Sequence, residues 1–145
     1  MATEMTLRRL LEILIEMDGV FILQSPCGSM ELHGVDFHLS HAKEWITIYH
    51  QTAPRSPESR SHLHLKWPTF QGAEIRREEG QSPHLAFFTT DVPEPVDEPM
   101  LIWYFPSFYD WDRDKAEVPE NIAQYEAFVR TYGDRLQFTA PTLSG

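Results

Sequence analysis

The chain has one cysteine, Cys27, among its 145 residues, so no internal disulfide bond can form. No apolar run is long enough to span a bilayer, and Glu12 and Glu16 interrupt the apolar stretch near the N-terminus. Basic residues are also few, since 12 lysines and arginines stand against 22 aspartates and glutamates. These shortages predict a cytoplasmic protein with no membrane partner and no nucleic-acid partner, because binding a phosphate backbone needs a basic face.

The motifs of conventional catalysis are missing as well. The sequence has no Gly-x-Ser-x-Gly turn, no phosphate-binding glycine-rich loop and no dinucleotide fingerprint. Cys27 lies in a Ser-Pro-Cys-Gly-Ser turn without an identifiable base partner. The sequence therefore favours a binding protein over an enzyme.

Short segments rich in β-branched and aromatic residues dominate the chain from Trp45 to Phe105. Most of them are flanked by proline, glycine or serine, which is typical of successive strands joined by turns. No gap between them has a clear helical pattern, so we expect hairpin-like connections and an antiparallel sheet. The predicted strands cover residues 20–24, 30–33, 45–49, 61–67, 73–77, 83–88 and 100–105.

Two amphipathic helices bracket these strands. Residues 6–18 place leucines and a methionine at three- and four-residue steps, with Thr6 as the N-cap. Residues 119–132 repeat the pattern with aromatic residues, and Gly133 ends the helix. The prediction is one α+β domain over residues 1–145, an antiparallel β-sheet flanked by an N-terminal and a C-terminal helix that both cover one face.

Histidine is the only abundant reactive residue type, with seven copies. In the strand predicted around residues 62–66, His62, His64 and Lys66 share one face, while Leu63 and Leu65 share the other. His38 and His41 stand three apart in residues 34–43, which we interpret as a strand end plus a loop. Imidazole pairs at such spacings occur in transition-metal sites, so both pairs are candidate metal ligands.

The succession of segments resembles the haem-utilisation superfamily, the HemS-type and ChuX/HutX-type proteins. The resemblance covers about four-fifths of the chain and rests on the order of its motifs. They are Ser25-Pro26-Cys27-Gly28, Glu44-Trp45-Ile46-Thr47-Ile48, His62-Leu63-His64-Leu65, Ala73-Glu74-Ile75-Arg76, His84-Leu85-Ala86-Phe87-Phe88, Met100-Leu101-Ile102-Trp103-Tyr104 and the helix that ends at Tyr132-Gly133.

The resemblance implies haem, or a related tetrapyrrole, as the ligand of an intracellular uptake, storage or trafficking protein. It implies an axial ligand from His38 or His41, because ChuX-like proteins have histidines just before the strand that corresponds to Trp45. It also implies a homodimer. Haem further needs an apolar slot and cations for its propionates. Arg55, Arg60, Arg76 and Arg77 are the candidate cations.

Two alternatives remain open from the sequence. The chain could be a protein-interaction module that kept the fold without haem, with the acidic, proline-rich residues 91–99 as its contact surface. It could also be an enzyme that degrades haem or works through a metal held by His62 and His64. Independently of these, an aromatic content of 12% and an uncovered sheet face predict a C2 homodimer with a shared sheet surface.

Overall fold

The structure, a computed structural model, describes residues 2–33, 36–51, 61–89 and 100–140. Half of these residues lie in strands and about a quarter in helices. The elements are β1 (Thr3–Thr6), α1 (Leu7–Leu14), β2 (Val20–Ser25), β3 (Gly28–His33), β4 (Phe37–Ala42), β5 (Trp45–His50), β6 (His62–Lys66), β7 (Phe70–Arg76), β8 (His84–Thr89), β9 (Leu101–Tyr104), β10 (Tyr109–Asp110), β11 (Ala116–Glu117), α2 (Pro119–Tyr132) and β12 (Arg135–Thr139).

Seven strands form the main sheet, in the order β1-β12-β7-β8-β9-β2-β3. The outermost pair, β1 and β12, is parallel, with Thr3 opposite Leu136. Every other described pair in this sheet is antiparallel. The sheet is therefore mixed, and the two ends of the described chain meet at one of its edges.

A second sheet of three antiparallel strands has the order β4-β5-β6. The short strands β10 and β11 form a separate two-stranded pair. Trp67 ties the end of β6 to the β4–β5 turn, since its ring nitrogen donates to the carbonyl of Lys43 at 2.8 Å and its backbone nitrogen donates to that of Glu44 at 3.0 Å. The predicted strand around residues 62–66 is confirmed, but it lies in the smaller sheet.

One hydrophobic core joins both sheets and both helices. Strand alternation puts Phe21, Trp103 and Leu85 in one row across β2, β9 and β8 on the inner face of the main sheet. The second sheet and the helices contribute to the same cluster. Those contributions are Ile46, Ile48 and Leu65 from the sheet, Leu7, Leu10, Leu11 and Leu14 from α1, and Phe128 from α2.

The helix signals in the sequence are confirmed with one change of boundary. The Thr6 hydroxyl caps α1 by accepting from the Arg9 backbone nitrogen at 3.0 Å. The helix ends at Leu14, and the chain then turns through residues 15–17, so the C-terminal limit at residue 18 was wrong. α2 spans the predicted residues, and Gly133 ends it with a φ of 80° that favours glycine.

The predicted fold class is wrong. The protein is mostly β with a mixed sheet, and it is not an antiparallel sheet flanked by terminal helices. β1 precedes α1 and β12 follows α2, so neither helix is the outermost element of the chain. β1 reads Thr-Glu-Met-Thr and shows no apolar alternation. It is a short edge strand, and such a strand needs to bury only one side chain.

The segment before Trp45 also differs from its prediction. Residues 37–42 form the regular strand β4 instead of a strand end plus a loop. The two proline-rich links fall largely outside the described residues, as do Arg55, Arg60 and the acidic stretch 91–99. Within the described ranges no helix is long and apolar enough to cross a membrane.

Gly72 offers a test of the mixed-sheet edge. The register between β7 and β8 shifts between Phe70 and Gly72, and a Cβ on Gly72 would lie 2.5 Å from the carbonyl oxygen of Leu136 in β12. Because backbone atoms cannot swing away, we expect Gly72→Ala to lower the free energy of unfolding by about 1–3 kcal/mol. Urea denaturation followed by circular dichroism measures this loss.

The matched control for that substitution is Gly28→Ala at the β2–β3 turn. No atom lies within 4 Å of the position its Cβ would take. We expect a change within about 0.5 kcal/mol there. Equal effects of the two substitutions would contradict the packing of β12 against β7.

Candidate functional site

The site with the most suggestive chemistry is a cleft between the β2–β3 hairpin and strand β6, which we call the hairpin cleft. Its volume is about 420 Å³, within the range typical of small-molecule sites. Its apolar lining comes from both sheets and from positions far apart in the sequence. The lining residues are Phe21, Leu23, Met30, Glu31, Leu32, Ser61, His62, Leu63 and His64.

The hairpin contributes unusually exposed apolar side chains to this cleft. Leu23 and Met30 are opposite each other on β2 and β3, and they are 43% and 76% exposed. They lie on the same face of the main sheet as Phe21 and Leu32, which contact the core. The inner face of the main sheet therefore extends past the core into an open, apolar wall.

Strand β6 supplies the opposite wall because it is an edge of the second sheet. Leu63 packs against the core, whereas His62 and His64 are on the outer face and exposed. An apolar hairpin and an imidazole-bearing strand edge thus border one space. This combination can accept a flat apolar ligand that carries a metal.

The outer face of the second sheet carries a row of rings. The ring centroids of His38 and Tyr49 lie 5.7 Å apart, and those of Tyr49 and His62 lie 6.0 Å apart. His62 and His64 stack almost parallel, at 5.7 Å and 6°. The sequence-based placement of these two imidazoles on one face of a strand is confirmed.

His64 has a fixed orientation. Its Nδ1 atom lies 2.8 Å from the hydroxyl oxygen of Thr47, its neighbour on β5. When Nδ1–H donates to that hydroxyl, Nε2 carries the lone pair needed by a metal ion. Of the two histidines in the cleft, His64 is therefore the one whose ring is oriented by a side-chain hydrogen bond.

His38 and His41 are not brought together. Residues three apart in a strand point to opposite faces, so the two imidazoles are on opposite sides of β4. His38 joins the exposed row, whereas His41 lies next to Trp67 at 6.2 Å, and its Nε2 atom is buried without a hydrogen-bond partner in the described structure. One metal ion between these two side chains is incompatible with this strand geometry.

The described side chains also provide too few ligands for a metal site made of side chains alone. Within the part of the chain that the structure describes, no three histidines, cysteines or acidic residues are grouped to hold an ion. The stacked pair His62 and His64 thus has two side-chain nitrogens to offer, not a complete set. A metal that brings most of its own ligands and needs a single imidazole suits this site better than a bare ion.

Arg76 lies away from the cleft. It shares a row with His84, Tyr104 and Val20 across the main sheet, which is the face opposite Phe21. Its β7 strand is three strands from β2, about 14 Å. The guanidinium bonds to Glu74 at 3.1 Å and lies 5.3 Å from the ring centroid of Phe88. We therefore do not place Arg76 in the cleft.

Lys66 is the cation that the structure places beside the imidazoles. Alternation puts it on the same face of β6 as His62 and His64. Its ammonium lies 3.9 Å from the carboxylate of Glu44, and both side chains are about half exposed. A pair this exposed contributes little to stability, so Lys66 can exchange Glu44 for an anionic group of a ligand.

His84 lies on the outer face of the main sheet, and its surroundings lower its pKa. Burial lowers the pKa of His84 below the ordinary 6.5, the Arg76 guanidinium lowers it further, and Glu78 acts in the opposite direction. Its ring lies 5.1 Å from that of Tyr104. This environment favours a neutral imidazole in the folded protein.

The lowered pKa predicts how stability depends on pH. As the pH falls through 6.5, the unfolded chain binds a proton at His84 before the folded chain does, so stability decreases until the lower folded pKa is passed. His84→Phe keeps a ring beside Tyr104 and removes the titration. We expect the free energy of unfolding to fall less in the variant than in the native chain between about pH 7.5 and about pH 5.5. Urea titrations at both pH values measure this, and an equal fall would contradict the assignment.

The comparisons with known proteins define the fold and nothing beyond it. No family model matches the chain, and no curated protein matches it. Among solved structures, the chain is similar to the crystal structure of protein AGR_C_4470 from Agrobacterium tumefaciens, with a TM-score of 0.56 and 17% identity. The similarity covers 86% of this chain and 67% of that one. The haem-utilisation resemblance therefore stays a prediction.

Sequence reasoning identified the imidazoles of β6 but missed the other wall of the cleft. Leu23, Met30 and Leu32 were assigned to a hairpin without any functional role. The signal was present in the sequence, since a two-stranded hairpin with apolar residues on one face needs something to cover it. What the sequence did not show is that β6 lies against that face.

Proposed function

We propose that the protein binds haem in the hairpin cleft, with the His64 imidazole as axial ligand and His62 beside it. The observation that carries the proposal is the pairing of an apolar wall with an oriented imidazole in one cleft. Haem sites need this combination, because the macrocycle is apolar and its iron takes a nitrogen ligand. This reassigns the axial role from His38 or His41, the candidates that the resemblance implied.

The residues of the cleft fit the parts of haem. Leu23, Met30 and Leu32 would cover one face of the macrocycle with side chains that are otherwise exposed to water. Thr47 would hold the His64 ring so that Nε2 is available. Lys66 would bind a propionate in place of Glu44.

When bound, haem would supply the iron chemistry, and this chain would supply the ligand and the apolar surroundings. The observations support binding for uptake, storage or transfer of haem. The proposal is a haem carrier or haem store.

A titration with hemin and with metal-free protoporphyrin tests the proposal. The two ligands share shape and propionates and differ in iron, so the difference in affinity isolates the imidazole bond. We expect one hemin per chain and an affinity at least about tenfold higher than that of the metal-free ring, which corresponds to about 1.4 kcal/mol. Equal affinities, or binding that never saturates, would contradict an iron–imidazole site.

We also propose a C2 homodimer, supported by apolar side chains on the outer face of the main sheet. Ile22 and Phe88 lie on that face, are only partly buried, and do not belong to the core cluster. A second copy of the chain would bury this face against itself, as an isologous interface does. Light scattering should then give twice the 16.9 kDa chain mass, and Ile22→Lys should reduce it to one chain. A native monomer at tens of micromolar would contradict the dimer.

A further inference from the structure

A second large cleft lies away from the imidazole face and has no part in the haem proposal. Its volume is about 590 Å³. It lies where β2 begins and β9 ends, and where the chain runs on through residues 106–113 to α2. We call it the aromatic cleft, and its chemistry-bearing lining residues are Asp18, His33, Tyr104, Ser107, Trp111 and Asn121.

Several polar groups of this cleft can accept hydrogen bonds. The Asn121 amide nitrogen donates to the Ser107 carbonyl at 2.8 Å, which leaves its side-chain oxygen as an acceptor. Nε2 of His33 lies 2.8 Å from a carboxylate oxygen of Glu31, so this nitrogen already has an anionic partner. Asp18 adds an exposed carboxylate. The lining therefore offers acceptors to a ligand that donates hydrogen bonds.

The charge of the lining residues favours a positively charged ligand. Among the described lining residues there is no lysine and no arginine, and Asp18 is the one carboxylate. The whole chain has a formal net charge of -10. The lining residues offer an anionic ligand no lysine or arginine, whereas a positively charged ligand that displaces Lys115 from Trp111 would be attracted by Asp18.

The aromatic rings of the cleft provide a surface that can bind a cation. Trp111 is 62% exposed, unusual for the largest apolar side chain, and Tyr104 is on the cleft wall. The ammonium of Lys115 lies 4.7 Å from the ring centroid of Trp111. This contact within the chain itself shows that the indole accepts an ammonium ion over its face.

We propose that the aromatic cleft binds an organic ammonium ion, with Trp111 and Tyr104 as the aromatic wall and Asp18 as the anionic group. Aromatic side chains combined with a carboxylate recognise alkylated ammonium groups, because the ring quadrupole and the negative charge act on the same cation. Asn121 and Ser107 would accept hydrogen bonds from donors on the ligand.

The test uses choline and its uncharged isostere 3,3-dimethylbutan-1-ol, which have the same shape and differ in charge. Binding is followed by the indole N–H signal of Trp111 in nuclear magnetic resonance spectra, assigned with Trp111→Phe. We expect a saturable shift with choline and an affinity for the isostere that is weaker by about five- to tenfold. Equal affinities of the two would overturn the proposal, as would the absence of a shift with choline.

Two variants locate the site. Trp111→Ala should weaken choline binding by about five- to tenfold, whereas Trp45→Ala, which removes an exposed tryptophan from the second sheet, should leave it unchanged. Lys115→Asn removes a positive charge beside the ring at a position with a φ of 58° that asparagine tolerates. It should strengthen choline binding and leave the isostere unaffected. Unchanged choline affinity in both Trp111→Ala and Lys115→Asn would overturn the assignment.

Discussion

Trp103→Ala is expected to lower the free energy of unfolding by about 3–5 kcal/mol, a larger loss than we expect from Gly72→Ala. Trp103 is 1% exposed and lies at the centre of the inner face of the main sheet. Its ring contacts Phe105 at 4.8 Å and Phe21 at 6.3 Å between centroids. Because these neighbours belong to different segments of the chain and cannot all move inward, alanine would leave a cavity.

Urea denaturation measures that loss, with Trp111→Ala as the control. Trp111 is 62% exposed and is not part of the core cluster. Its removal should change stability by about 0.5 kcal/mol or less. A loss below about 1 kcal/mol for Trp103→Ala would contradict a core organised across β2, β9 and β8.

Replacement of both His62 and His64 with alanine is expected to weaken ferric haem binding at least about tenfold, or about 1.4 kcal/mol. The Soret band should also lose the position typical of imidazole ligation. Both histidines are exposed on an edge strand, so the fold should not depend on them. Absorbance titration with hemin gives affinity and ligation in one experiment.

The matched control removes two imidazoles from β4. The control variant combines His38→Ala with His41→Phe. The phenylalanine fills the space beside Trp67, and the substitution removes a nitrogen that has no hydrogen-bond partner in the described structure. We expect its haem affinity and Soret position to match those of the native chain. If this control loses haem while the β6 variant keeps it, the ligand comes from β4, as the family resemblance implied.

The difference between the two histidine pairs shows how far the sequence could lead. His62 and His64 stand two apart among leucines, so alternation predicted a strand and placed both imidazoles on one face, as observed. Residues 37–42 alternate as well, but His41 occupies an inward position where an apolar residue is the usual signal. That one residue concealed the full length of the strand, so the sequence predicted a strand end plus a loop.

Local sequence patterns could not predict how the strands pair into sheets. β1 is polar and only four residues long, and it pairs in parallel with β12 from the other end of the chain. No local pattern distinguishes a strand of the main sheet from a strand of the second sheet. The hairpin cleft follows from that division, because Met30 and His64 line one space from two different sheets and not from one hairpin.

The location of bound haem is the most direct test of the central claim. In nuclear magnetic resonance spectra of the nitrogen-15-labelled chain, paramagnetic ferric haem should broaden the backbone signals of Leu23, Met30, Leu63 and His64. The signals of Gly72 and Arg135, toward the other edge of the main sheet, should stay sharp. Zinc protoporphyrin, which is diamagnetic, should shift the same cleft signals without broadening them. Broadening centred on β7 and β12, or spread evenly over the chain, would contradict haem binding in the hairpin cleft.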